Sequence, residues 1–381
     1  MRRFLFLVSF LFLNSLFVNA AEFRAAWVAS VWNLNYPSRP GLSVSAQKKE
    51  ITRILDVAKS AGLNALLVQV RPESDALYAS RLEPWSHNVS GKQGASPGFD
   101  PLETFIREGR RRGIEIHAWI NPFRAAVSAK KSRHKSHISR RFPDATLRVG
   151  NLLWMDPGVP AVREFIVRVV ADITARYDVA GIHFDDYFYP YPKAGKAQNF
   201  PDSKSYAAYK QSGGRLGRDD WRRDNVNRLI RDTHSAVKRI KSQVIFGVSP
   251  FGIYTKGYPK GIETGVDQLH QLYADPVKWM REGWIDYLAP QLYWRDGGPQ
   301  SFSTLLRWWR DPRVNPRRIP ILPGIALDRL SKPHNWSTSE IKRQLQLEKK
   351  IGPRGEGGFI LWNVGPLLKN TKGIRSVIAS E

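Results

Sequence analysis

The sequence contains no cysteine and is poor in acidic residues. The lack of cysteine excludes disulfide bonds, zinc–thiolate sites, thiol nucleophiles and lipid attachment at an N-terminal cysteine. A chain of 381 residues is long enough to bury a stable core without disulfides. Lys and Arg number 59 against 34 Asp and Glu, a formal net charge of +25. This excess indicates attraction to something anionic, such as a substrate, a wall polymer, a lipid surface or nucleic acid.

The N-terminus has the three parts of a secretory signal peptide. Arg2 and Arg3 precede an apolar run, and small residues surround Ala20. We therefore expect residues 1–20 to be removed and the protein to be exported, to the periplasm or elsewhere in the cell envelope. A retained membrane anchor is the alternative, but the run is shorter than the roughly 20 residues of a spanning helix. No transmembrane anchor is expected after cleavage. Export and the lack of a nucleic-acid-binding motif argue against nucleic acid as a partner.

Apolar segments alternate with helical patterns along residues 22–381, and no linker interrupts them. Eight segments have the character of strands: Phe23–Ala29, Ala65–Arg71, Glu115–Asn121, Gly181–Asp186, Val244–Ser249, Ile285–Tyr293, Pro320–Ala326 and Gly358–Val364. The clearest helical patterns between them are Ser45–Ala61, Pro101–Arg112, Pro160–Tyr177, Asp220–Lys241 and Ser339–Lys350. Eight strand–helix repeats predict an α/β fold, a single-domain (β/α)8 TIM barrel. A doubly wound open sheet is the alternative, but no glycine-rich phosphate loop follows the first strand.

The lengths of the links support the barrel. Helix-to-strand links are short, whereas several strand-to-helix links are long: Arg71–Pro101, Pro122–Gly158, Tyr187–Arg218 and Pro250–Asp275. In a barrel, the long links all fall on the C-terminal face, where such enzymes carry their active sites. The link after the third strand is strongly basic, with Asp144 as its single acid between Pro122 and Arg148. We interpret it either as a solvated charged loop or as a cationic wall that meets carboxylates on a polymer.

Strand alternation predicts a set of polar and aromatic side chains inside the barrel, near its C-terminal mouth. They are Gln69, Arg71, His117, Trp119, Asn121, His183, Asp185, Ser249, Gln291 and Tyr293. Buried polar groups are costly unless paired, so a set of this size indicates a site rather than ordinary core. Taken alone, His183 is better explained as a hydrogen-bonded structural histidine.

Asp185 is the sharpest candidate for chemistry, because it takes the last inward position of its strand. Asp186 follows where the alternation ends, and Glu73 and Asp75 lie just beyond the second strand. Adjacent carboxyl groups raise one another's pKa, which helps to keep one protonated for general-acid catalysis. We expect Asp185 to be the general acid, with Asp186 or Glu73 as the second carboxylate. The alternative for paired Asp residues is capping of the segment that follows.

Aromatic residues are concentrated in the loops of the predicted C-terminal face. They are Trp32, Tyr36, Trp85, Tyr187, Tyr189, Tyr191, Tyr254, Tyr258 and Trp294. Each one alone is more often a packing residue. Beside carboxylates, however, aromatic faces suit sugar rings, which present an apolar C–H face and a rim of hydroxyl groups.

Several motifs allow a comparison with a known family. They include Phe23–Val28, Val68–Tyr78, Pro84–Ser86, His117–Arg124, Gly181–Pro190, Trp221–Asn227, Phe246–Gly252 and Pro290–Trp294. With these motifs in combination, the sequence resembles the glycosyl-hydrolase-like family 10 proteins (the DUF187 group) of bacterial envelopes. The resemblance implies a barrel that hydrolyses glycans. Some members look like enzymes that cut peptide-stripped peptidoglycan strands at the division site.

The resemblance also implies a substrate and a set of binding residues. Removal of the peptide frees a lactyl carboxylate on muramic acid, which Arg71, Arg124 or the basic link would meet. The expected substrate-binding residues are Arg71, Asp75, His117, Asn121, Arg124, His183, Tyr187, Gln291, Tyr293 and Trp294. Neither a cofactor nor a metal is expected. Cell-division or wall-synthesis proteins are possible partners, and the sequence does not indicate an oligomeric state.

Two other functions compete with a glycoside hydrolase. A non-catalytic glycan-binding barrel that recruits wall enzymes would keep the aromatic residues and the basic link. A metal-dependent hydrolase or deacetylase would use His117, His183 and Asp185, although no HExxH helix is present. Cleavage products from bare glycan strands would separate a glycoside hydrolase from the non-catalytic barrel. Loss of activity in a chelator would indicate the metal-dependent enzyme.

Overall fold

The computed structural model describes residues 22–193, 198–352 and 357–381. The expected signal peptide, residues 1–20, lies outside the described residues. Among the helices described, none combines the length and the apolar character needed to cross a lipid bilayer.

Strands and helices alternate along the described chain. The strands are β1 (Phe23–Val28), β2 (Ala65–Arg71), β3 (Glu115–Ile120), β4 (Arg124–Ala126), β5 (Thr146–Val149), β6 (Leu152–Met155), β7 (Gly181–Phe184), β8 (Ile245–Val248), β9 (Tyr287–Leu288), β10 (Gly324–Ala326) and β11 (Gly358–Trp362). The helices are α1 (Val44–Ser60), α2 (His87–Ser90), α3 (Pro101–Arg110), α4 (Ile138–Arg141), α5 (Pro160–Arg176), α6 (Ser203–Gln211), α7 (Arg218–Ile240), α8 (Gln268–Gln271), α9 (Pro276–Glu282), α10 (Phe302–Arg310), α11 (Thr338–Ile351), α12 (Val364–Lys369) and α13 (Ile374–Ser380). Short 3-10 helices span Val31–Asn33, Pro143–Ala145, Leu327–Leu330 and Thr371–Gly373.

The strands of the main sheet close into a barrel. Within the described residues, eight strands pair in parallel in the order β10-β11-β1-β2-β3-β7-β8-β9. Parallel bridges from Leu288 to Ile321 and from Gln291 to Gly324 join the two edges. The Leu322 amide also donates to the Leu288 carbonyl at 2.9 Å. The predicted (β/α)8 barrel is therefore confirmed.

The strands near the closing edge are shorter than expected. Strand β9 covers two residues of the predicted Ile285–Tyr293, and β10 begins only at Gly324. Pro290 and Pro323 interrupt these segments, and proline has no amide hydrogen to donate to a ladder. Pro290 still accepts a hydrogen bond from the Gly324 amide at 2.8 Å, which preserves closure.

The core has two layers that follow the alternation of the strands. Ile182 and Phe184 of β7 belong to the large cluster between the sheet and the helices. A smaller cluster fills the barrel interior with Ala25, Trp27, Ala29, Ala65, Leu67, Trp119, Tyr287, Ala289, Leu322 and Ile360. His183 and Asp185 alternate along the chain with these outward-facing residues, so their side chains point into the barrel.

Several helices begin at a side-chain cap. Asp100 accepts a hydrogen bond from the Glu103 amide at 3.0 Å, with Pro101 as the first residue of α3. Asp275 caps α9 in the same way through the Lys278 amide, at 3.0 Å. These Asp-Pro starts end the long links sharply and turn the chain back along the barrel wall.

The long links carry structure of their own. Strands β4, β6 and β5 form an antiparallel sheet within the basic link between β3 and α5. Helix α6 lies between β7 and α7, and α8 lies between β8 and α9. Segments of three or four residues, such as β4 and α8, are too short to show a period in sequence. The nine residues of α6 have no buried face to produce one, so the sequence predicts only loops here.

Candidate active site

A cavity of about 160 Å³ opens at the C-terminal ends of the barrel strands. It is lined by Trp27, Trp119, Asp185, Asp186, Tyr187, Tyr191, Ser249, Gln291, Tyr293 and Trp362. These residues belong to β1, β3 and β11 or follow β7, β8 and β9. Sequence positions far apart therefore meet because parallel strands end at the same face.

Asp185 is a buried carboxylate that receives several hydrogen bonds. Trp119 Nε1 donates to its Oδ2 at 3.0 Å, and Asn121 Nδ2 lies 3.0 Å from both of its oxygens. The Tyr187 amide approaches Oδ1 at 3.3 Å. Burial raises the pKa of Asp185, whereas the charge of Arg124 and these donors oppose that rise. The donors thus favour the ionised form.

Asp186 has different partners from Asp185. It is equally buried, and the Tyr191 hydroxyl donates a hydrogen bond to its Oδ2. Burial, followed by the negative charge of Asp185, raises the pKa of Asp186 to about 7, although contacts with Tyr191 and Gln291 act against the rise. Burial therefore raises the pKa of both carboxyl groups, and the charge of Asp185 adds to the rise at Asp186, which favours Asp186 as the group that keeps a proton.

Aromatic rings form the walls of the cavity. The Trp362 ring stacks with the Tyr293 ring at 6.3 Å between centroids. Trp27 and Trp119 each meet Trp362 edge-on at 6.0 Å. The site prediction omitted Trp27 and Trp362. Their only sequence signals were the inward alternation of Trp27 and the position of Trp362 at the end of the last strand.

Beneath the cavity lies a buried row of hydrogen-bonded rings. Trp27 Nε1 donates to His183 Nε2 at 3.2 Å, so His183 Nδ1 carries the hydrogen and donates to the Tyr287 hydroxyl at 2.9 Å. Tyr287 in turn lies 3.5 Å from His117 Nδ1. Burial, with a contribution from His117, holds the pKa of His183 well below its ordinary value. Both predicted histidines therefore lie under the pocket and not on its surface. From there, His183 Nε2 makes a hydrogen bond of 3.0 Å with the hydroxyl of Ser249, which lines the cavity.

Arg71 is engaged within the protein. Its guanidinium makes two hydrogen bonds to the carboxylate of Glu83, at 2.7 and 2.6 Å, and both side chains are fully buried. Its third nitrogen donates to the carbonyls of Asn121 and Pro122, at 2.6 and 3.0 Å. These contacts hold the end of β3, and with it Asn121, in place.

Glu73 and Asp75 form a separate buried cluster. The Val127 amide donates to Glu73 Oε1 at 2.6 Å, and Gln93 Nε2 donates to Asp75 Oδ2 at 3.0 Å. His87 lies 3.8 Å from each carboxylate. Burial and the charge of Asp75 raise the pKa of Glu73. Burial alone would raise the pKa of Asp75, but contacts with His87 and Gln93 outweigh it and lower that pKa.

The remaining predicted residues surround the pocket at different depths. Asn121 Oδ1 accepts the Arg124 amide at 2.8 Å, and the Arg124 guanidinium lies 4.8 Å from the centre of the Tyr187 ring. Trp294 packs edge-on against Phe251 at 5.5 Å. Of the predicted set, Asp185, Asp186, Tyr187, Gln291 and Tyr293 line the cavity, and Asn121 and Arg124 support it. Among the described residues, no group of three His, Cys, Asp or Glu side chains is arranged to hold a metal ion.

Solved structures with the same barrel come from carbohydrate-active enzymes. The PgaB (BpsB) glycoside hydrolase domain of Bordetella bronchiseptica superposes with a TM-score of 0.59 at 11% identity, covering 95% of this chain and 99% of that domain. The catalytic domain of β-amylase from Paenibacillus polymyxa gives a TM-score of 0.58 at 13% identity, with coverage of 95% and 99%. At these identities the likeness establishes the fold.

Sequence relatives establish the class. Glycosyl hydrolase YngK of Bacillus subtilis (strain 168) is 38% identical over 377 residues, which cover 94% of this chain and 71% of the relative. Glycosyl hydrolase DigH of Escherichia coli (strain K12) is 33% identical over 357 residues, which cover 86% and 80%. Together with the barrel, they identify a glycoside hydrolase, as the sequence predicted. The chain belongs to the glycosyl hydrolase-like 10 family, whose model matches residues 22–340.

Proposed function

We propose that this glycoside hydrolase is exported and cleaves glycosidic bonds in peptide-stripped peptidoglycan strands of the cell envelope. The observation that carries the mechanism is the pair Asp185 and Asp186, which share one pocket but have different surroundings. A glycosidase needs one carboxyl group that carries a proton and one that is ionised. This pair supplies both.

Asp186 is the proton donor in this mechanism. Its pKa of about 7 keeps much of it protonated near neutral pH, which is the condition for a general acid. We assign the negative charge to Asp185, because Trp119 and Asn121 donate to its oxygens and oppose the rise that burial causes in its pKa. It stabilises the positive charge that develops at the anomeric carbon as the bond breaks. A water molecule then supplies the oxygen that bonds to this carbon and the proton that restores Asp186. This assignment reverses the sequence-based expectation, which gave the acid role to Asp185.

Glu73 is a weaker second carboxylate. Its Oε1 is bound by the Val127 amide, and it is grouped with Asp75 and His87 and does not line the cavity among the described residues. The catalytic pair therefore needs no third acid. Glu73 and Asp75 instead contact the links that follow β3 and β2, through Val127 and Gln93 respectively.

The cavity suits the sugar ring whose glycosidic bond is cleaved, and its aromatic walls offer apolar surfaces to that ring. Its volume of about 160 Å³ falls below the roughly 300–1,000 Å³ of sites that enclose a larger ligand. One ring therefore enters the pocket while the rest of the strand lies outside. Trp27, Trp362 and Tyr293 contact the C–H face of that ring, and Gln291 meets its hydroxyl groups.

Charge supports an anionic polymer as the substrate. Between Pro122 and Arg148, the link that follows β3 exposes several cations, and Asp144, the one acid in that range, is exposed as well. The exposed cations are Lys130, Lys131, Lys135, Arg140, Arg141 and Arg148. Peptide-free strands carry one lactyl carboxylate on each muramic acid, and these cations would attract them. Arg71 is already paired with Glu83, so the basic link carries this role in the proposal.

The substrate is tested with purified glycan strands. Strands with and without stem peptides are incubated with wild-type protein and with Asp185→Asn, and the products are separated and weighed by mass spectrometry. We expect fragments from peptide-free strands only, and none from the variant. Equal cleavage of both polymers, or no cleavage of either by the wild-type protein, would overturn the proposed substrate.

Export and partners are tested in cells. We propose that residues 1–20 are removed, so N-terminal sequencing of the protein from the envelope fraction should begin at Ala21. A protein that retains Met1 would contradict export by this route. Association with cell-division or wall-synthesis proteins stays a prediction, to be examined by crosslinking in the envelope.

A further inference from the structure

Trp32 is exposed on the loop that follows β1. The residue is 68% exposed, although indole is among the larger apolar groups of the protein. Its backbone is left-handed, with φ 56° and ψ 18°. A bulky residue rarely adopts this conformation, which costs free energy and recurs at functional positions. Neither burial nor local backbone preference therefore explains a tryptophan here.

Side-chain hydrogen bonds hold the loop on both sides of Trp32. Gln69 Oε1 accepts hydrogen bonds from the amides of Ser30 and Val31, at 3.0 and 2.9 Å. On the other side, Asn33 Nδ2 donates to the carbonyls of Pro37 and Asn88, at 2.9 and 2.8 Å. The residues before and after Trp32 are thus fixed, and the indole is presented by a rigid support.

The same loop is joined to the wall of the catalytic cavity. Asn35 Nδ2 donates to Asn363 Oδ1 at 2.8 Å, and Asn363 directly follows Trp362 of the cavity. Asn35 also accepts the Ala29 amide at 2.9 Å, which fixes the loop to the end of β1. Trp32 therefore stands on the C-terminal face of the barrel, on the side where Trp27 and Trp362 form the cavity wall.

We propose that the indole of Trp32 is a second sugar-binding platform, a subsite outside the catalytic cavity that holds a distal ring of the glycan strand. The inference rests on the proposed function, because it requires a polymeric substrate. A rigid, exposed aromatic face binds the C–H face of a sugar at little entropic cost, since it is already ordered before binding. The small cavity leaves most of a strand outside, and Trp32 supplies a contact for that part.

The test compares chain lengths and uses a matched control in the same loop. Binding is measured in an Asp186→Asn background, so that strands are not cut, for long peptide-free strands and for single disaccharide units. Trp32→Ala should raise the Kd for long strands about five- to tenfold, the scale of one well-placed aromatic contact, and leave the Kd for the disaccharide unchanged. Leu34→Ala, which removes another exposed apolar side chain (51% exposed), should change neither.

A second variant separates binding from folding. Asn tolerates the left-handed region, so Trp32→Asn should keep or raise the Tm while it weakens binding of long strands as Trp32→Ala does. A lower Tm with unchanged binding would show that Trp32 is structural and would overturn the subsite. Equal effects of Trp32→Ala and Leu34→Ala would also overturn it. Wild-type protein that does not cleave the strands would instead overturn the proposed function, which is measured separately by product analysis.

Discussion

The side-chain amide of Asn121 lies 3.0 Å from both carboxylate oxygens of Asp185. An amide nitrogen only donates, so this contact favours the ionised carboxylate. Asn121 is itself held by the Arg124 amide at its Oδ1, and Arg71 binds its carbonyl. The charge state of Asp185 therefore depends on residues from two neighbouring strands, and the pH dependence of the enzyme follows from them.

Replacement of Asn121 should move the acidic limb of the pH profile. Without its amide, as in Asn121→Ala, the pKa of Asp185 rises, and the anion is lost at a higher pH than in the wild-type protein. The acidic limb of kcat/KM should therefore shift upward while the alkaline limb stays in place. Kinetics across the pH range check this, and circular dichroism confirms that the variant is folded. An unshifted acidic limb would mean that Asp185 is not the required anion.

Tyr191→Phe should move the alkaline limb of the pH profile. The hydroxyl of Tyr191 lowers the pKa of Asp186, so its removal raises that pKa above about 7. Because the mechanism requires protonated Asp186, activity should persist to higher pH. The same kinetic series measures it, with Tyr206→Phe as a control in which the lost hydroxyl contacts a loop carbonyl away from the cavity. A downward shift would contradict the assignment of the proton to Asp186.

Asp186 should also make stability depend on pH. Its pKa is about 7 when folded and near the ordinary 3.8 when unfolded. The folded state therefore binds more protons between these values, and stability is lost as pH rises from about 4 through about 7. Asp186→Asn removes this loss. The difference in Tm between the variant and the wild type should therefore become larger, in favour of the variant, as pH rises from about 4 to about 7. Calorimetry measures it, with Asp144→Asn, which removes an exposed carboxyl of the basic link, as the comparison variant. If the difference in Tm between Asp186→Asn and the wild type does not change with pH, the pKa of Asp186 is not raised by burial, and the prediction is wrong.

Arg71 should prove to be structural. Arg71→Gln leaves Glu83 buried without its cation, and breaking such a pair costs about 3–5 kcal/mol. Denaturant unfolding measures that loss, and Arg110→Gln, which breaks an exposed pair with Asp178, should cost about 1 kcal/mol or less. At a temperature where Arg71→Gln is folded, KM for peptide-free strands should be unchanged. A raised KM without a loss of stability would return Arg71 to the substrate-binding residues.

Much of the barrel and part of the site could be predicted from sequence. The two-residue alternation in β3 and β7 placed Trp119, Asn121 and Asp185 inside, because this period depends only on local geometry. Partners that come from distant loops could not be predicted in this way. Glu83 is an example, since nothing in its neighbourhood identifies it as the counterion of Arg71. The roles of the two Asp residues depend on burial and on donors, which only the folded chain determines.

The most direct test of the proton donor compares leaving groups. Wild-type protein and Asp186→Asn are assayed on peptide-free strands and on an activated aryl glycoside of their disaccharide, whose leaving group departs without protonation. Asp186→Asn should lose about 10²–10⁴-fold in kcat on the strands and far less on the aryl glycoside. Equal losses on both substrates, or undiminished cleavage of the strands, would show that Asp186 does not protonate the glycosidic oxygen.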